Sequence, residues 1–205
     1  MYKTKQENFW AGEFGNEYIK RNDGEKLLSS NLKLFSEILS NLNCKPESCI
    51  EFGANIGMNL SAIELLVPNI KLGAVEINKE AVKILKQRIN NIEVYEDSLL
   101  NVSIEERYDI ALIKGVLIHI NPEELKVVYK KLYDCSKKYI VVAEYYSPSP
   151  VSIKYRENED VLFKRDFAGE IMDMYKDLKL VDYGFIYHRD DLFPGDDITW
   201  FLLEK

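Results

Sequence analysis

The chain has 205 residues, 46% of them hydrophobic and 30% charged, and its formal net charge is −7. This length and composition predict one globular domain with a packed core and exclude a disordered chain. The acidic balance, without a basic stripe, argues against a nucleic-acid partner, and no apolar run reaches the roughly 20 residues of a membrane span.

The first 45 residues are predicted to form an N-terminal lid and one helix. We call residues 1–23 the lid, because aromatic side chains among polar ones, without regular spacing, are typical of a segment that closes a site against water. From Glu25 to Leu42, apolar residues recur in steps of three and four, which predicts one amphipathic helix that ends before Pro46. The aromatic residues of the lid are Phe9, Trp10, Phe14 and Tyr18.

From residue 46 to 205, strands and helices alternate. This order predicts an α/β, Rossmann-like, doubly wound and mostly parallel seven-stranded sheet, forming one structural unit with the lid. The last two strands are joined by a loop too short for a crossover helix, so the C-terminal strand is predicted to be antiparallel. Residues 145–165, with two prolines, are predicted to be irregular. The predicted strands are Ser48–Phe52, Lys71–Glu76, Ile92–Tyr95, Tyr108–Ile113, Tyr139–Glu144, Leu178–Tyr187 and Ile198–Glu204.

The residues that follow the first three strands predict a cofactor site, because open parallel sheets bind ligands at the carboxyl ends of their strands. Gly53 and Gly57 allow a tight turn beside a ligand and an early helix start. Glu76 ends the second strand, where a carboxylate can accept both ribose hydroxyl protons, and Asp97 is placed to meet an adenine amino group. Each residue alone is also compatible with packing or a solvated turn. Their order at successive strand ends favours the site.

The glycine spacing distinguishes two cofactors. A dinucleotide site requires G-x-G-x-x-G, but counting from Gly53 the second and third positions hold Asn55 and Met58. The acid-x-G-x-x-x-G pattern suits a cofactor without a pyrophosphate, so S-adenosylmethionine is predicted and an NAD-dependent oxidoreductase is disfavoured. The predicted cofactor-binding residues are Trp10, Arg21, Glu51, Gly53, Ala54, Asn55, Gly57, Glu76, Ile77, Asp97, Ser98 and Lys114.

In Glu51–Gly57, Glu76 and Asp97 the sequence resembles class I S-adenosylmethionine-dependent methyltransferases. Over nearly the whole chain it is similar to the pseudaminic-acid-biosynthesis-associated methylase family. That resemblance implies O- or N-methylation of a sugar or nucleotide sugar in nonulosonic acid or surface glycan biosynthesis, without fixing the acceptor. The blocks that carry it are Phe9-Trp10, Phe14–Tyr18, Arg21-Asn22, Gly115–Pro122, Glu144–Pro148, Tyr155-Arg156, Phe163–Phe167 and Asp196–Lys205.

Catalytic candidates lie after the fourth and fifth strands. His119 can take a proton from the acceptor, although packing between its apolar neighbours is an equally good interpretation. Glu144 can orient an acceptor hydroxyl or amine. Tyrosines can stack on a sugar ring, and arginines can bind its carboxylate or phosphate at two points, the alternatives being core packing and solvated loop charges. The predicted substrate-binding residues are Tyr145, Tyr146, Arg156, Arg165 and His188.

Cysteine and histidine counts bound the remaining possibilities. Cys44, Cys49 and Cys135 are odd in number and lack CxxC spacing, so free thiols in a cytoplasmic protein are expected. His119 and His188 are the only histidines and lie far apart in the sequence, so few ligands are present for a zinc or iron site. We expect a monomer or homodimer with a small-molecule substrate and no membrane partner. A non-catalytic S-adenosylmethionine-binding protein of a glycan pathway is the alternative, and turnover distinguishes the two.

Overall fold

The structure is a computed structural model that describes residues 2–19, 24–155 and 158–205. Its α-helices are α1 (Lys5–Ala11), α2 (Glu13–Ile19), α3 (Glu25–Ser40), α4 (Met58–Leu66), α5 (Lys79–Arg88), α6 (Leu125–Cys135) and α7 (Phe167–Met174). Its strands are β1 (Ser48–Phe52), β2 (Lys71–Val75), β3 (Glu93–Tyr95), β4 (Tyr108–Lys114), β5 (Ser136–Glu144), β6 (Val151–Tyr155), β7 (Asn158–Lys164), β8 (Lys179–Ile186) and β9 (Ile198–Glu204). Two short 3-10 helices cover Leu117–His119 and Pro122–Glu124.

A seven-stranded sheet organises the chain, in the order β3-β2-β1-β4-β5-β9-β8. The pairs from β3 to β5 are parallel, whereas β9 runs antiparallel to both β5 and β8. This arrangement confirms the predicted fold, including the antiparallel C-terminal strand. Because β1 to β5 point the same way, their carboxyl ends meet at one edge of the sheet, as the site prediction requires.

The centre of the sheet is covered on both faces, which explains why β1 is buried along its whole length, whereas the edge strand β8 is largely exposed. On one face, Cys49 and Leu112 pack with the helices α3 and α4 around Trp200. On the other, Ile50 and Val142 pack with the helices α6 and α7. The two apolar layers fix the positions of the strand ends and so the shape of the carboxyl edge.

Residues 145–165 correct the prediction of an irregular segment. They contain the antiparallel hairpin β6–β7, with Val151 opposite Lys164 and Ser152 opposite Phe163. The hairpin buries Leu162 and Phe163, and the proline at position 150 precedes the first strand, where a missing amide donor costs no ladder hydrogen bond. Burial of these apolar side chains therefore favours a hairpin despite the two prolines in the segment.

The lid is more regular than its sequence indicates. Its described part forms α1 and α2, and α1 begins in a capping box: the Thr4 side chain accepts from the Glu7 amide, and the Glu7 side chain accepts from the Thr4 amide. This reciprocal pair satisfies two amides that the helix leaves free. The motif T-x-x-E at positions 4–7 could have revealed this helix start.

Candidate cofactor and active site

A cavity of about 250 Å³ lies at the carboxyl edge of the parallel strands, with the lid forming one wall. It brings together residues from the ends of β1, β2, β3 and β4, as the alternating fold requires. The predicted site residues that line it are Trp10, Gly53, Ala54, Asn55, Glu76, Ile77, Asp97, Ser98, Lys114, His119 and Tyr145.

The turn after β1 depends on glycine. Gly53 has φ of +81°, and a Cβ there would lie 2.6 Å from Cγ2 of Val116, so only glycine fits without displacing that side chain. Its amide donates to the carbonyl of Val75 at 2.8 Å, which ties the turn to β2. Gly57 does not line the cavity. With φ of +82° it precedes α4, and a Cβ there would lie 2.3 Å from Cδ1 of Leu85.

Glu76 joins the turn after β1 to the segment before α5 in the wall of the cavity. Its Oε2 accepts from the amide of Asn55 at 2.7 Å, and its Oε1 accepts from the amide of Asn78 at 2.7 Å. Burial raises the pKa of the Glu76 carboxyl above its ordinary value, because desolvation outweighs these hydrogen bonds. The carboxylate thus lies at the end of β2, between the glycine turn and the start of α5, and it lines the cavity.

At the end of β3, Asp97 and Ser98 meet a residue of the lid that sequence reasoning missed. The carboxylate of Glu7 accepts from the Ser98 hydroxyl, across 91 positions of sequence, and Asp97 Oδ1 accepts from the Ser98 amide at 2.7 Å. Burial raises the pKa of Glu7, but the hydrogen bonds from Ser98 and Thr4 outweigh it and leave the pKa below its usual value. Glu7 is therefore an anion held at the β3 end of the cavity.

The lid is attached to the sheet edge at further points. The side-chain amide of Asn78 donates to the carbonyl of Trp10 at 3.2 Å and to Oδ1 of Asn16 at 2.9 Å. The Trp10 ring lies 4.6 Å from the His119 ring, centroid to centroid. Lys3 forms an ion pair with Glu124 at 2.6 Å. The lid therefore reaches from the β2 and β3 ends to the 3-10 helices after β4.

Several buried polar side chains cluster on the side of the cavity that faces α3. Glu51 does not line the cavity itself, but its Oε1 accepts from Nδ2 of Asn59 at 2.6 Å, and Asn59 does line the cavity. Among the described residues, Oε2 of Glu51 and Nδ2 of Asn31 are buried without a hydrogen-bond partner. Burial raises the pKa of Glu51 well above its usual range and lowers that of Lys114. Buried polar groups without partners are rare, and of Glu51 and Asn31 it is Asn31 that lines the cavity, where its amide can donate to a polar ligand.

Of the two predicted catalytic residues, one lines the cavity and the other does not. His119, in a 3-10 helix, lines the cavity against Trp10. Glu144 does not line it: its Oε1 accepts from the amides of Val116 and Leu117, each at 2.7 Å. Burial raises the pKa of Glu144 to about 7. Glu144 thus fixes the backbone that precedes His119, and this geometry does not direct it at an acceptor.

Of the predicted substrate-binding residues, Tyr145 alone lines the cavity among those the structure describes. Tyr146 is exposed beside Phe201, and the exposed His188 pairs with Asp197 at 2.8 Å. Arg165 donates from Nε to Glu170 at 2.7 Å, and that carboxylate also accepts from Tyr129. Local carboxylates therefore satisfy His188 and Arg165 away from the cavity. Arg21 and Arg156, predicted to bind cofactor and substrate, lie outside the described residues.

Sequence reasoning assigned no site role to many of the lining residues, because segments far apart in the chain bring them together. Asn78 lies directly before α5, where asparagine is a typical helix cap, but this position gives no sign of a contact with the lid. Asp196, in the loop before β9, also lines the cavity. The unassigned lining residues include Thr4, Gln6, Glu7, Gly15, Leu27, Asn31, Asn59, Asn78, Leu99, Leu100, Val116, Ile120, Asn121 and Leu162.

No protein-family model and no curated protein matches the chain. Solved structures do. The plantazolicin methyltransferase in complex with S-adenosylhomocysteine is 14% identical, with a TM-score of 0.67 over 98% of this chain and 93% of that one. A Burkholderia thailandensis 1,6-didemethyltoxoflavin-N1-methyltransferase, with its substrate and S-adenosylhomocysteine bound, is 14% identical, with a TM-score of 0.71 over 98% and 86%. The Synechocystis magnesium protoporphyrin IX methyltransferase with bound S-adenosylmethionine is 11% identical, with a TM-score of 0.69 over 100% and 99%.

The chain therefore has the Rossmann-like α/β fold of S-adenosylmethionine-dependent methyltransferases. At these identities the likeness concerns the fold, and sites and acceptors must be argued from this chain's own residues. The structure adds two plain facts. All three cysteines are free. Within the described ranges, no helix combines the length and apolar character needed to cross a bilayer.

Proposed function

We propose that this protein is an S-adenosylmethionine-dependent methyltransferase. One observation carries the proposal: the glycine turn at Gly53, the carboxylate of Glu76 and the pair Asp97-Ser98 converge on a single cavity at the carboxyl edge of the sheet. These residues offer an adenosine the contacts that its base and ribose need. Residues 1–45 serve as lid and supporting helix, and residues 46–205 as the catalytic domain.

The buried polar atoms support the fit of this cofactor. Glu76 would hold the ribose hydroxyls, and Asp97 with Ser98 would hold the adenine. Asn31 and Lys114 lie on the α3 side, where the Asn31 amide has a donor to spare among the described residues. When bound, the cofactor supplies an electrophilic methyl group on a sulfonium. The protein's own part is to exclude water with the lid and to align an acceptor with that methyl.

We assign to His119 the removal of a proton from the methyl acceptor. A hydroxyl acceptor loses its proton as its oxygen bonds to the methyl carbon, whereas an ammonium acceptor must lose a proton first to free the lone pair that attacks. In both cases the carbon–sulfur bond breaks and its electron pair passes to sulfur, which leaves S-adenosylhomocysteine as a neutral thioether. His119 lines the cavity and can take the acceptor's proton on its imidazole. Trp10, packed on the imidazole ring, restricts its orientation.

The finer proposal concerns the acceptor, a sugar or nucleotide sugar of nonulosonic acid or surface glycan biosynthesis, methylated on oxygen or nitrogen. It is supported by the sequence blocks quoted above and by aromatic rings in the cavity wall, those of Trp10, His119 and Tyr145. Such rings pack well on the apolar face of a pyranose. We further propose a cytoplasmic monomer or homodimer that has neither nucleic-acid nor membrane partners.

The test has two stages. Calorimetry should show that S-adenosylhomocysteine binds the wild type and that Glu76→Ala weakens binding, whereas the exposed loop variant Glu105→Ala does not. Incubation with isotopically labelled S-adenosylmethionine and a panel of sugar nucleotides, free acidic sugars and amines, read by mass spectrometry, should then show one acceptor gaining a methyl. Binding without methylation of any acceptor would favour the non-catalytic protein, and no binding would refute both.

A further inference from the structure

We infer that Asn78 is a positioning residue that links the cofactor-binding carboxylate Glu76 to His119 through Trp10. The inference rests on the proposed function, since it assigns a ribose to Glu76 and a proton-accepting role to His119. It adds to that function a coupling between the two residues: cofactor binding at Glu76 changes the packing of the His119 imidazole through Asn78 and Trp10.

Asn78 occupies the junction of three segments. Its backbone amide donates to Oε1 of Glu76 at 2.7 Å, so any ligand that competes for that carboxylate acts on Asn78 directly. Its side-chain oxygen accepts from the amides of Glu80 and Ala81, both at 3.0 Å, and caps α5. Its side-chain nitrogen donates to the carbonyl of Trp10 at 3.2 Å. Only 4% of the residue is exposed, and its hydrogen bonds with Glu76 and Ala81 are buried.

The contact between Asn78 and the lid requires a glycine at position 15. A Cβ on Gly15 would lie 2.0 Å from the carbonyl oxygen of Trp10 and 2.7 Å from Nδ2 of Asn78. Real Cβ atoms do not approach this closely, so any other residue would push the lid away from α5. The same Asn78 nitrogen also donates to Oδ1 of Asn16 at 2.9 Å, one residue further along α2. Gly15 therefore leaves the space that the Asn78 side chain needs, and Asn16 supplies an acceptor for its amide nitrogen.

Trp10 carries the link onward to His119. The indole is held between lid rings, edge-on to Phe14 at 5.3 Å and to Tyr18 at 5.1 Å, so the ring and the backbone carbonyl of Trp10 move with the lid as a unit. The His119 ring lies 4.6 Å from this indole. A shift of Asn78 that releases the Trp10 carbonyl therefore changes the packing surface of the imidazole.

A simpler role for Asn78 is that of a helix cap, and the two roles predict different results for the variant Asn78→Ser. Serine caps helices about as well as asparagine, but it is too short to reach Trp10 and has no amide nitrogen. Asn78→Ser should therefore keep α5 and the fold while it disconnects the lid. Asn78→Asp is the second variant: it keeps the capping oxygen and the size of the side chain but cannot donate to the Trp10 carbonyl.

The experiment uses the two histidines of the chain as reporters in carbon–proton NMR spectra of the full-length protein. His188 is exposed, pairs with Asp197 and does not line the cavity, so it is an internal control. Resonances are assigned with His188→Gln, and each protein is measured free and saturated with S-adenosylhomocysteine. In the wild type, saturation should move the His119 resonance and leave that of His188 in place. In Asn78→Ser and Asn78→Asp, more than half of that movement should be lost while S-adenosylhomocysteine still binds.

Each outcome separates this inference from the proposed function. If the wild type does not bind S-adenosylhomocysteine, the proposed function fails and the link fails with it. If it binds and His119 responds equally in the wild type and in the folded variants, only the link is overturned. Equal movement of His188 would also overturn the link, because it would indicate a change of the whole fold. With an acceptor in hand, the variants should lose about tenfold in kcat, measured at saturating cofactor.

Discussion

The carboxylate of Glu144 accepts hydrogen bonds from the backbone amides of Val116 and Leu117, each at 2.7 Å. The acid at the end of β5 thereby fixes the loop that leaves β4, three residues before His119. A carboxylate in this position acts through the backbone that it holds. Its burial, opposed by these hydrogen bonds, makes the stability of the protein depend on pH, because Glu144 is 2% exposed and its Oε2 has no partner among the described residues.

We expect Glu144 to lower stability as the pH rises. Burial raises its pKa from the ordinary value of 4.5 to about 7, so the folded protein retains a proton at pH values where the unfolded chain has lost it. The free energy of unfolding should therefore fall between pH 4.5 and about 7, and then level off, by about 3 kcal/mol at most. Glu144→Gln, which keeps the accepting oxygen without ionising, should remove this loss and be more stable than the wild type at pH 8.

Chemical denaturation at several pH values between 5 and 8.5 measures this effect as the difference between variant and wild type. Glu105→Gln, in an exposed loop, makes the same change of charge and should leave the pH profile of the wild type intact. If Glu144→Gln runs parallel to the wild type over the whole range, Glu144 is already ionised at low pH, and the assignment of a raised pKa is wrong.

The sequence predicts the sheet and its carboxyl edge because strand alternation and strand-end residues are local signals. Gly53, Glu76 and Asp97 each follow a strand that is recognisable by itself, and the parallel topology brings them together. The hairpin β6–β7 was missed because two prolines outweighed a short apolar run. In the structure that run is buried, with Leu162 at 9% exposure.

Contacts between distant segments could not be predicted in the same way. The partners Glu7 and Ser98 are separated by 91 positions, and Asn78 and Trp10 by 68. A capping box and a helix cap show where the helices begin, but not what the same side chains touch across the cavity. Arg165 was assigned to the substrate for its charge alone, whereas the acid that it binds lies five residues later in α7.

Gly53→Val should abolish measurable binding of S-adenosylhomocysteine. A valine would have to adopt φ near +81° and place its Cβ 2.6 Å from Val116, so the turn that borders the cavity must change shape. Gly24→Ala is the matched control, because Gly24 also has positive φ, of +143°, but has open space around its Cβ position and lies outside the cavity. Calorimetry on variants with wild-type circular dichroism tests this. A folded Gly53→Val with unchanged affinity would show that the ligand does not approach the turn.

The hydrogen bond between Glu7 and Ser98 should slow the release of the cofactor. It joins a buried carboxylate of the lid to the end of β3, and hydrogen bonds to charged groups contribute about 1.5 to 3 kcal/mol. Glu7→Gln, which can keep the capping box but removes the charge from this bond and leaves Ser98 in place, should therefore raise the dissociation rate of S-adenosylhomocysteine about tenfold. Stopped-flow fluorescence can follow the release, since Trp10 lines the cavity.

A variant within the same lid distinguishes this contact from general loosening. Glu17 is exposed on α2, so Glu17→Gln removes one carboxylate charge without touching Ser98, and its release rate should equal that of the wild type. Should Glu7→Gln also release at the wild-type rate, the lid is held by its other contacts, such as that of Trp10 with Asn78.

His119→Ala should lower turnover by about a hundredfold to ten-thousandfold, the contribution typical of a positioned acid–base group, with the acceptor identified by labelled methyl transfer. The affinity for S-adenosylhomocysteine should change little, because the residues assigned to adenosine stand at the ends of β1, β2 and β3, and His119 follows β4. His188→Ala is the control, since its ring is exposed and pairs with Asp197 away from the cavity. Single-turnover rates and calorimetry together separate the two effects. Unchanged turnover in His119→Ala would make the histidine a packing partner of Trp10, and would direct the search for the base to Asp196 and Tyr145, which line the same cavity.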